Sequence, residues 1–227
     1  MFNIFLYLTL LIALLEWIAV QCNWRKLEYF AKPGTMIFLL IWLWYTAGSG
    51  AFFSSNLRWF ALGACLSLVG DGILLISDRT FVTGLVAFLL AHLAYIVGFN
   101  MPLPVFRFPM LLLAVVVILV SWKIYPYITS GIKTHGALLQ RAVLLYSIVI
   151  TGTLLSALIT TLRSDWLLNP ALLVSLGATL FYLSDILLAR ISFVAPFRNG
   201  RLTVMVSYHL GQLLLLTGAL LHSGYSK

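Results

Sequence analysis

An all-α integral membrane protein with eight transmembrane helices is the fold the sequence predicts, and three observations predict it. Of the 227 residues, 62% are hydrophobic and only 9% are charged, where a soluble domain carries about 25% charged residues. Mean hydropathy is +1.06. Long apolar runs recur, and between them lie short clusters rich in Pro, Gly, Asn, Ser and basic residues. A spanning helix needs about 20 mostly apolar residues, so residues 1–227 read as a single eight-span transmembrane domain with little room for a soluble one.

The first span is predicted over residues 4–20, followed by a polar turn over 21–28. No basic region precedes this span, and Glu16-Trp17 interrupts any small-residue cleavage site, so a cleavable signal peptide is not expected. The second span is predicted to open at Pro33, where the first helical turn needs no N–H, and to run to residue 53. Gly48-Ser49-Gly50 weakens its far end, and Ser54-Ser55-Asn56 is a turn cluster. The third span covers 59–77, and Asp78-Arg79-Thr80 links it to the fourth over 81–99. Pro102 and Pro104 break that helix. A short fifth span is predicted over 108–122, with Pro126 and Gly131 marking a longer loop. The sixth covers 138–162, the seventh opens at Asn169-Pro170 and ends near 191, and the eighth covers 202–222.

Charge sets the orientation. Ten basic residues fall at one face: Arg25, Lys26, Lys32, Arg79, Lys123, Lys133, Arg141, Arg190, Arg198 and Arg201. Arg58, Arg107, Arg163 and Lys227 fall at the other. The positive-inside rule then places both termini outside, in the periplasm if the membrane is a bacterial inner membrane, as the short chain suggests. The net charge of +8 would point to nucleic acid in a soluble protein. Here the basic residues sit between apolar runs, so membrane lipids are the expected partners and nucleic acid is not.

Two carboxylates lie inside apolar sequence. Asp71 follows Gly63-Ala64 by eight residues, as Asp185 follows Gly177-Ala178. An ionised Asp at a helix centre costs about 2.5–3.5 kcal/mol on insertion scales, and such residues normally face the bundle interior. The two are 114 residues and four spans apart, and a shift of 117 aligns His92 with His209. The pattern reads as a parallel four-plus-four repeat with halves 1–110 and 111–227; chance alignment of leucine-rich helices reads the same way. Glu16, Lys32, Asp71, His92, Asp185 and His209 are expected to line one polar cavity open to the cytoplasmic side. Helical spacing puts Phe88, His92 and Tyr95 on one face, Ser67 and Asp71 on another. Phe181, Ser184 and Asp185 share a third, and Tyr208, His209 and Gln212 a fourth. Each Asp thus has a hydroxyl one or four residues before it.

Structural roles compete at each position. Either Asp can serve a neighbouring helix, the His residues can be interhelical glue, the Tyr residues packing groups and Lys32 a snorkelling residue. Cys22 and Cys65 match no metal or redox spacing. No metal-binding motif, nucleophile elbow or phosphate-cradling glycine loop is visible, so no metal and no cofactor is expected. A carboxylate pair remains, the equipment for acid–base hydrolysis of an acid-labile C–O bond. A proton-coupled transporter of an amphipathic solute and a non-catalytic lipid-binding protein fit the same residues.

Several short motifs together resemble the YhhN/TMEM86 family of lysoplasmalogenases. They are Lys32-Pro33-Gly34-Thr35, Gly70-Asp71, Phe88-x-x-x-His92-x-x-Tyr95, Tyr146-Ser147, Gly177-Ala178 with Ser184-Asp185 and Ala189, then Tyr208 and Gln212. The resemblance implies eight spans and a hydrolase that cleaves the vinyl ether bond of lysoplasmalogens. The products would be a fatty aldehyde and glycerophosphoethanolamine or glycerophosphocholine. It implies a lysophospholipid substrate, with Asp71, Asp185 and His92 as catalytic residues. Lys32, Tyr95, Tyr146, Ser184, Tyr208 and Gln212 would bind substrate. His209 joins them on spacing alone. In this expectation the two aspartates divide the acid and base roles, and Lys32 with Arg190 or Arg201 holds the headgroup phosphate.

Overall fold

The computed structural model describes residues 3–48, 56–77, 80–132 and 136–224. Among them are eight α-helices: α1 (Ile4–Gln21), α2 (Arg25–Ala47), α3 (Leu57–Ile76), α4 (Phe81–Phe99), α5 (Phe108–Ser130), α6 (Ala137–Ile159), α7 (Leu168–Phe193) and α8 (Gly200–His222). A 3₁₀ turn, Thr160–Leu162, extends α6. All but α2 are long and apolar enough to cross a membrane. Six helices follow the predicted spans to within about two residues. Ser49-Gly50, Ser54-Ser55, Asp78-Arg79, Lys133, His135 and Lys227 lie outside the described residues.

Two expectations fail for the same reason. Pro33 does not open the second helix; α2 begins at Arg25, and Pro33 sits inside it. Glu28, read as part of a turn, pairs with Arg201 at 2.5 Å, and Lys32, expected just ahead of the span, pairs with Asp71 inside the bundle. Likewise α5 does not stop at Trp122 but continues through Pro126 to Ser130. The Thr129 hydroxyl donates to the Tyr125 carbonyl at 3.1 Å just there. A proline inside a membrane helix is tolerated where neighbouring helices and local backbone adjustment take up the disturbed hydrogen bonding.

Packing is tightest between α7 and α8, where backbone meets backbone. A Cβ on Gly177 would come within 2.5 Å of the Leu215 nitrogen, and one on Gly211 within 2.9 Å of the Phe181 nitrogen. Small residues let membrane helices approach this closely, because apolar packing alone gives little preference over lipid. The α3–α4 and α1–α2 pairs are the other extensive hairpins. Together with α2, α6 and parts of α1 these helices build one core around Trp42, Phe60, Tyr95, Phe99 and Phe181. By contrast, α5 buries only Met110, Val117 and Ile128. It packs on α6 and α7 and makes no extensive contact with α3 or α4.

A buried guanidinium closes the end of the bundle where α4 and α6 terminate. Arg163 donates to the carbonyls of Phe99 at 3.1 Å and Pro102 at 2.7 Å, and to Asp165 at 2.6 Å. The Arg163 hydrogen bonds hold the Asp165 carboxyl below its ordinary pKa.

Candidate active site

The six intramembrane charges expected in one cavity divide into separate groups. Asp71, on α3, is enclosed. Lys32 Nζ lies 3.2 Å from its Oδ1, and the Tyr208 hydroxyl donates to its Oδ2 at 2.7 Å. Only 1% of the residue is exposed. Gly70 beside it has no side chain because the Phe88 ring occupies that space, 2.7 Å from where a Cβ would be. A neutral chain runs next to this pair. Tyr95 donates to Gln212 Oε1 at 2.7 Å, and Gln212 Nε2 donates to Ser67 at 3.0 Å. Ser67 therefore serves Gln212 and not Asp71.

Farther along α8, His209 Nε2 lies 3.0 Å from Glu16 Oε2 on α1. Trp17 Nε1 donates to His209 Nδ1 at 3.1 Å. That bond makes Nδ1 the acceptor, so in the neutral ring the proton sits on Nε2, whose approach to Glu16 is close but not aligned as a hydrogen bond. Both residues are buried.

Asp185, on α7, is held differently. Its Oδ2 lies 3.0 Å from His92 Nε2 on α4, and among the described residues no Lys or Arg pairs with it. Ser184 does not bond it either; the Ser184 hydroxyl donates to the Val204 carbonyl at 3.2 Å. The His92 ring packs against Phe181 at 4.5 Å and Tyr146 at 5.8 Å between centroids. Three rings stand between the two aspartates. Phe88, Phe181 and Tyr208 meet edge to face, with centroids 6.3, 5.9 and 5.4 Å apart. Tyr208 is bonded to Asp71, and Phe181 packs on His92.

Asp185 opens on a cleft of about 710 Å³, its open mouth included. Leu74 of α3 and Phe81, Leu85 and Phe88 of α4 form one wall; Ile124, Tyr125 and Ile128 of α5 face them. Residues of α6 and α7, among them Tyr146, Ser147 and Tyr182, form the back. The lining is mostly apolar with a few hydroxyls and one carboxylate, the make-up of a site for an amphipathic molecule. Asp71, Lys32, Glu16, His92 and His209 do not line it.

Lys32 and Arg201, expected at a phosphate, are Asp71's and Glu28's partners. The Arg190 guanidinium lies over the Phe197 ring at 4.7 Å. Sequence reasoning missed Glu28, read as loop, and Trp17, next to Glu16. It also missed Tyr182, whose hydroxyl meets Ser121 of α5 at 2.8 Å. Tyr182 lies three residues before Asp185, a spacing that puts both on one side of α7.

The YhhN family model matches residues 27–219, from the first turn of α2 nearly to the end of α8. Lys32, Asp71, His92, Asp185 and His209 fall inside that stretch, and α1 with Glu16 falls before it. Over 213 residues the chain is 32% identical to the protein named lysoplasmalogenase TMEM86B of Mus musculus, covering 92% of this chain and 82% of that protein. The protein of the same name from Rattus norvegicus is 30% identical over 206 residues, with coverage of 90% and 77%. Its counterpart from Homo sapiens is 31% identical over 206 residues, with coverage of 88% and 80%. No solved structure matches the chain. With its model spanning seven of the eight helices and both buried aspartates, the chain belongs to the YhhN family.

Proposed function

We propose that this membrane protein is a lysoplasmalogenase. It hydrolyses the vinyl ether bond of an alkenyl glycerophospholipid to a fatty aldehyde and the glycerophospho-headgroup. The observation that carries the reading is Asp185: a carboxylate bonded by His92 behind it and open in front to an apolar cleft. The names of the relatives supply the substrate class.

The chemistry needs one acid that becomes a base. Protonated Asp185 gives its proton to the vinyl carbon β to the ether oxygen, leaving an oxocarbenium ion. The resulting carboxylate lies beside that cation and stabilises it in a water-poor site. Water adds to the cationic carbon and returns a proton to Asp185. The hemiacetal then breaks its bond to the glycerol oxygen, which takes up a proton as the aldehyde forms. One water is consumed, and Asp185 ends as it began. His92 acts through Asp185, fixing its orientation and sharing its proton.

This changes the expected division of labour between two aspartates. Asp185 carries the proton in both directions, and Asp71 holds Lys32 and Tyr208 in place. Tyr146 and Tyr208 act from the cleft wall and the ring partition; Tyr95, Gln212, Ser184 and His209 support the helices that carry them. The orientation that goes with this reading puts both termini outside and the basic ends of α7 and α8 in the cytoplasm. An internal duplication goes with it too, and Tyr95 and Gln212 support it. The 117-residue shift aligns them, and they hydrogen-bond to one another as residues on a pseudo-twofold axis would.

Purified protein is assayed for aldehyde release with an aldehyde dehydrogenase couple. Vinyl ether lysolipids should be turned over; saturated ether and ester analogues should not. Absence of aldehyde from every vinyl ether substrate overturns the reading.

A further inference from the structure

The cleft is short beyond the point of reaction. Its two ends can be told apart by contacts. At one end Ile128 of α5, Val143 of α6 and Phe193 of α7 pack into a small apolar cluster, and Phe81 of α4 meets Phe193 with centroids 5.4 Å apart. At the other end the Ser121 and Tyr182 hydroxyls join across the cleft at 2.8 Å. Tyr182 is only three residues from Asp185, about 4.5 Å along the helix axis. A straight hydrocarbon chain starting at Asp185 meets that bridge after a few methylenes. One side has no such barrier, because α5 makes no extensive contact with α3 or α4. The facing residues there, Leu85 and Tyr125, line the cleft from opposite walls.

We propose that the substrate's alkenyl chain leaves the cleft sideways between α4 and α5, turned by the Ser121–Tyr182 bridge, and lies in the bilayer during the reaction. The inference rests on the lysoplasmalogenase reading of the Asp185 site and adds the path of the chain to it. Only the headgroup, the vinyl ether and the first few carbons are held by protein. A chain that stays in lipid gains nothing from a longer protein tunnel, so the site selects the vinyl ether and not the chain length. The aldehyde, once formed, is already in the membrane, while the glycerophospho-headgroup is free to leave for water.

The test closes the gap. In a Cys22→Ser, Cys65→Ser background, Leu85→Cys and Tyr125→Cys are bridged with a short thiol-reactive cross-linker. Aldehyde release is then measured for a long-chain vinyl ether lysolipid and for one whose alkenyl chain is only four carbons. Bridging should abolish turnover of the long chain and spare the short one, which ends inside the cleft. Equal loss of both, or full retention of both, overturns the lateral path. A second arm uses a long-chain substrate with a pyrene at its distal end. The uncross-linked protein should hydrolyse it as fast as the unlabelled lipid, and rejection of the pyrene argues for an enclosed tunnel and against this inference. Tyr182→Phe, which keeps the ring and removes the bridge, should lower kcat for the long chain by more than for the short one; an equal loss for both counts against the bridge as the turning point. The failures are distinguishable. If the wild-type protein cleaves no vinyl ether of any length, the functional reading falls and this inference with it. If it cleaves both lengths and the bridged protein treats them alike, only the lateral path falls.

Discussion

Asp71 and Asp185 sit in matching stretches of sequence, each eight residues after Gly-Ala, yet the fold treats them differently. Asp71 has a cation on one oxygen and a phenol on the other, and it does not line the cleft at Asp185. Asp185 is held by the His92 imidazole with the Tyr146 phenol beside it, has no cation among the described residues, and has a face on the cleft. What separates them is what the neighbouring helices bring. Beside Asp71, α2 brings Lys32 and α8 brings Tyr208; beside Asp185, α4 brings His92 and α6 brings Tyr146. A fully paired carboxylate is locked in one state, because moving its proton would leave a buried charge alone. A carboxylate sharing a proton with a neutral ring can change state and remain satisfied. Depth and apolar context attract attention to both residues; in the proposed mechanism the second arrangement is the one that passes a proton to the substrate.

The strongest test removes the proton carrier. Asp185→Asn keeps the shape and a hydrogen-bonding group toward His92 but cannot act as acid or base. Aldehyde release should fall by at least about 10³-fold, within the range that positioned acid–base groups contribute. The melting temperature of the purified protein should change little. An Asp185→Asn protein with wild-type turnover would dissolve the contrast between the two sites.

Asp71→Asn should act through stability. It leaves the Lys32 ammonium buried beside a neutral amide, and breaking a buried pair from one side costs about 3–5 kcal/mol. Folded yield in detergent and melting temperature should both drop. The decisive comparison is Asp71→Leu combined with Lys32→Met, which removes both charges and replaces them with apolar groups of similar size. That double variant should regain much of the lost stability and retain aldehyde release. If it is well folded and inactive, Asp71 takes part in the chemistry and the two carboxylates share the work after all.

His92→Gln sharpens the comparison from the other side. It preserves a donor toward Asp185 while removing the ring that shares its proton. Turnover should fall by about 10–100-fold, the scale typical of a group acting through the one that does the work. KM should be unchanged, since His92 does not line the cleft. A rise in KM with kcat intact would make His92 a binding residue.

Much of this was legible before any coordinates. Apolar run length placed six of the eight helices, because length and hydropathy are what a bilayer selects. Buried charges were rightly singled out as interior residues. Their pairing was not legible: whether Asp71 or Asp185 receives Lys32 depends on where α2 crosses, and no local pattern encodes that. The proline rules misled twice. Pro33 and Pro126 read as boundaries, and both lie inside helices. Those rules describe helix ends in water, where a broken helix exposes its carbonyls cheaply; in lipid, continuing the helix is the better solution. The hydroxyls of Ser67 and Ser184 were assigned to the adjacent aspartates by sequence proximity. Both meet α8 instead: Ser67 accepts from Gln212, and Ser184 donates to the Val204 carbonyl.

The smallest expected effect is the most discriminating about Asp71. Tyr208→Phe removes one hydroxyl and leaves the ring between Phe88 and Phe181. The Asp71 carboxylate loses one of its two bonds but keeps Lys32. A hydrogen bond to a charged group is worth about 1.5–3 kcal/mol, so thermal stability should fall measurably and by less than in Asp71→Asn. Catalysis should be nearly unaffected, because the ring partition stays intact and Asp185 is untouched. The same change would have a different signature if Asp71 were the reacting acid. Tyr208 would then tune its proton affinity, and losing the hydroxyl would move the pH dependence of kcat. Stability lowered with an unmoved pH profile places Asp71 in the framework; a displaced profile places it in the reaction.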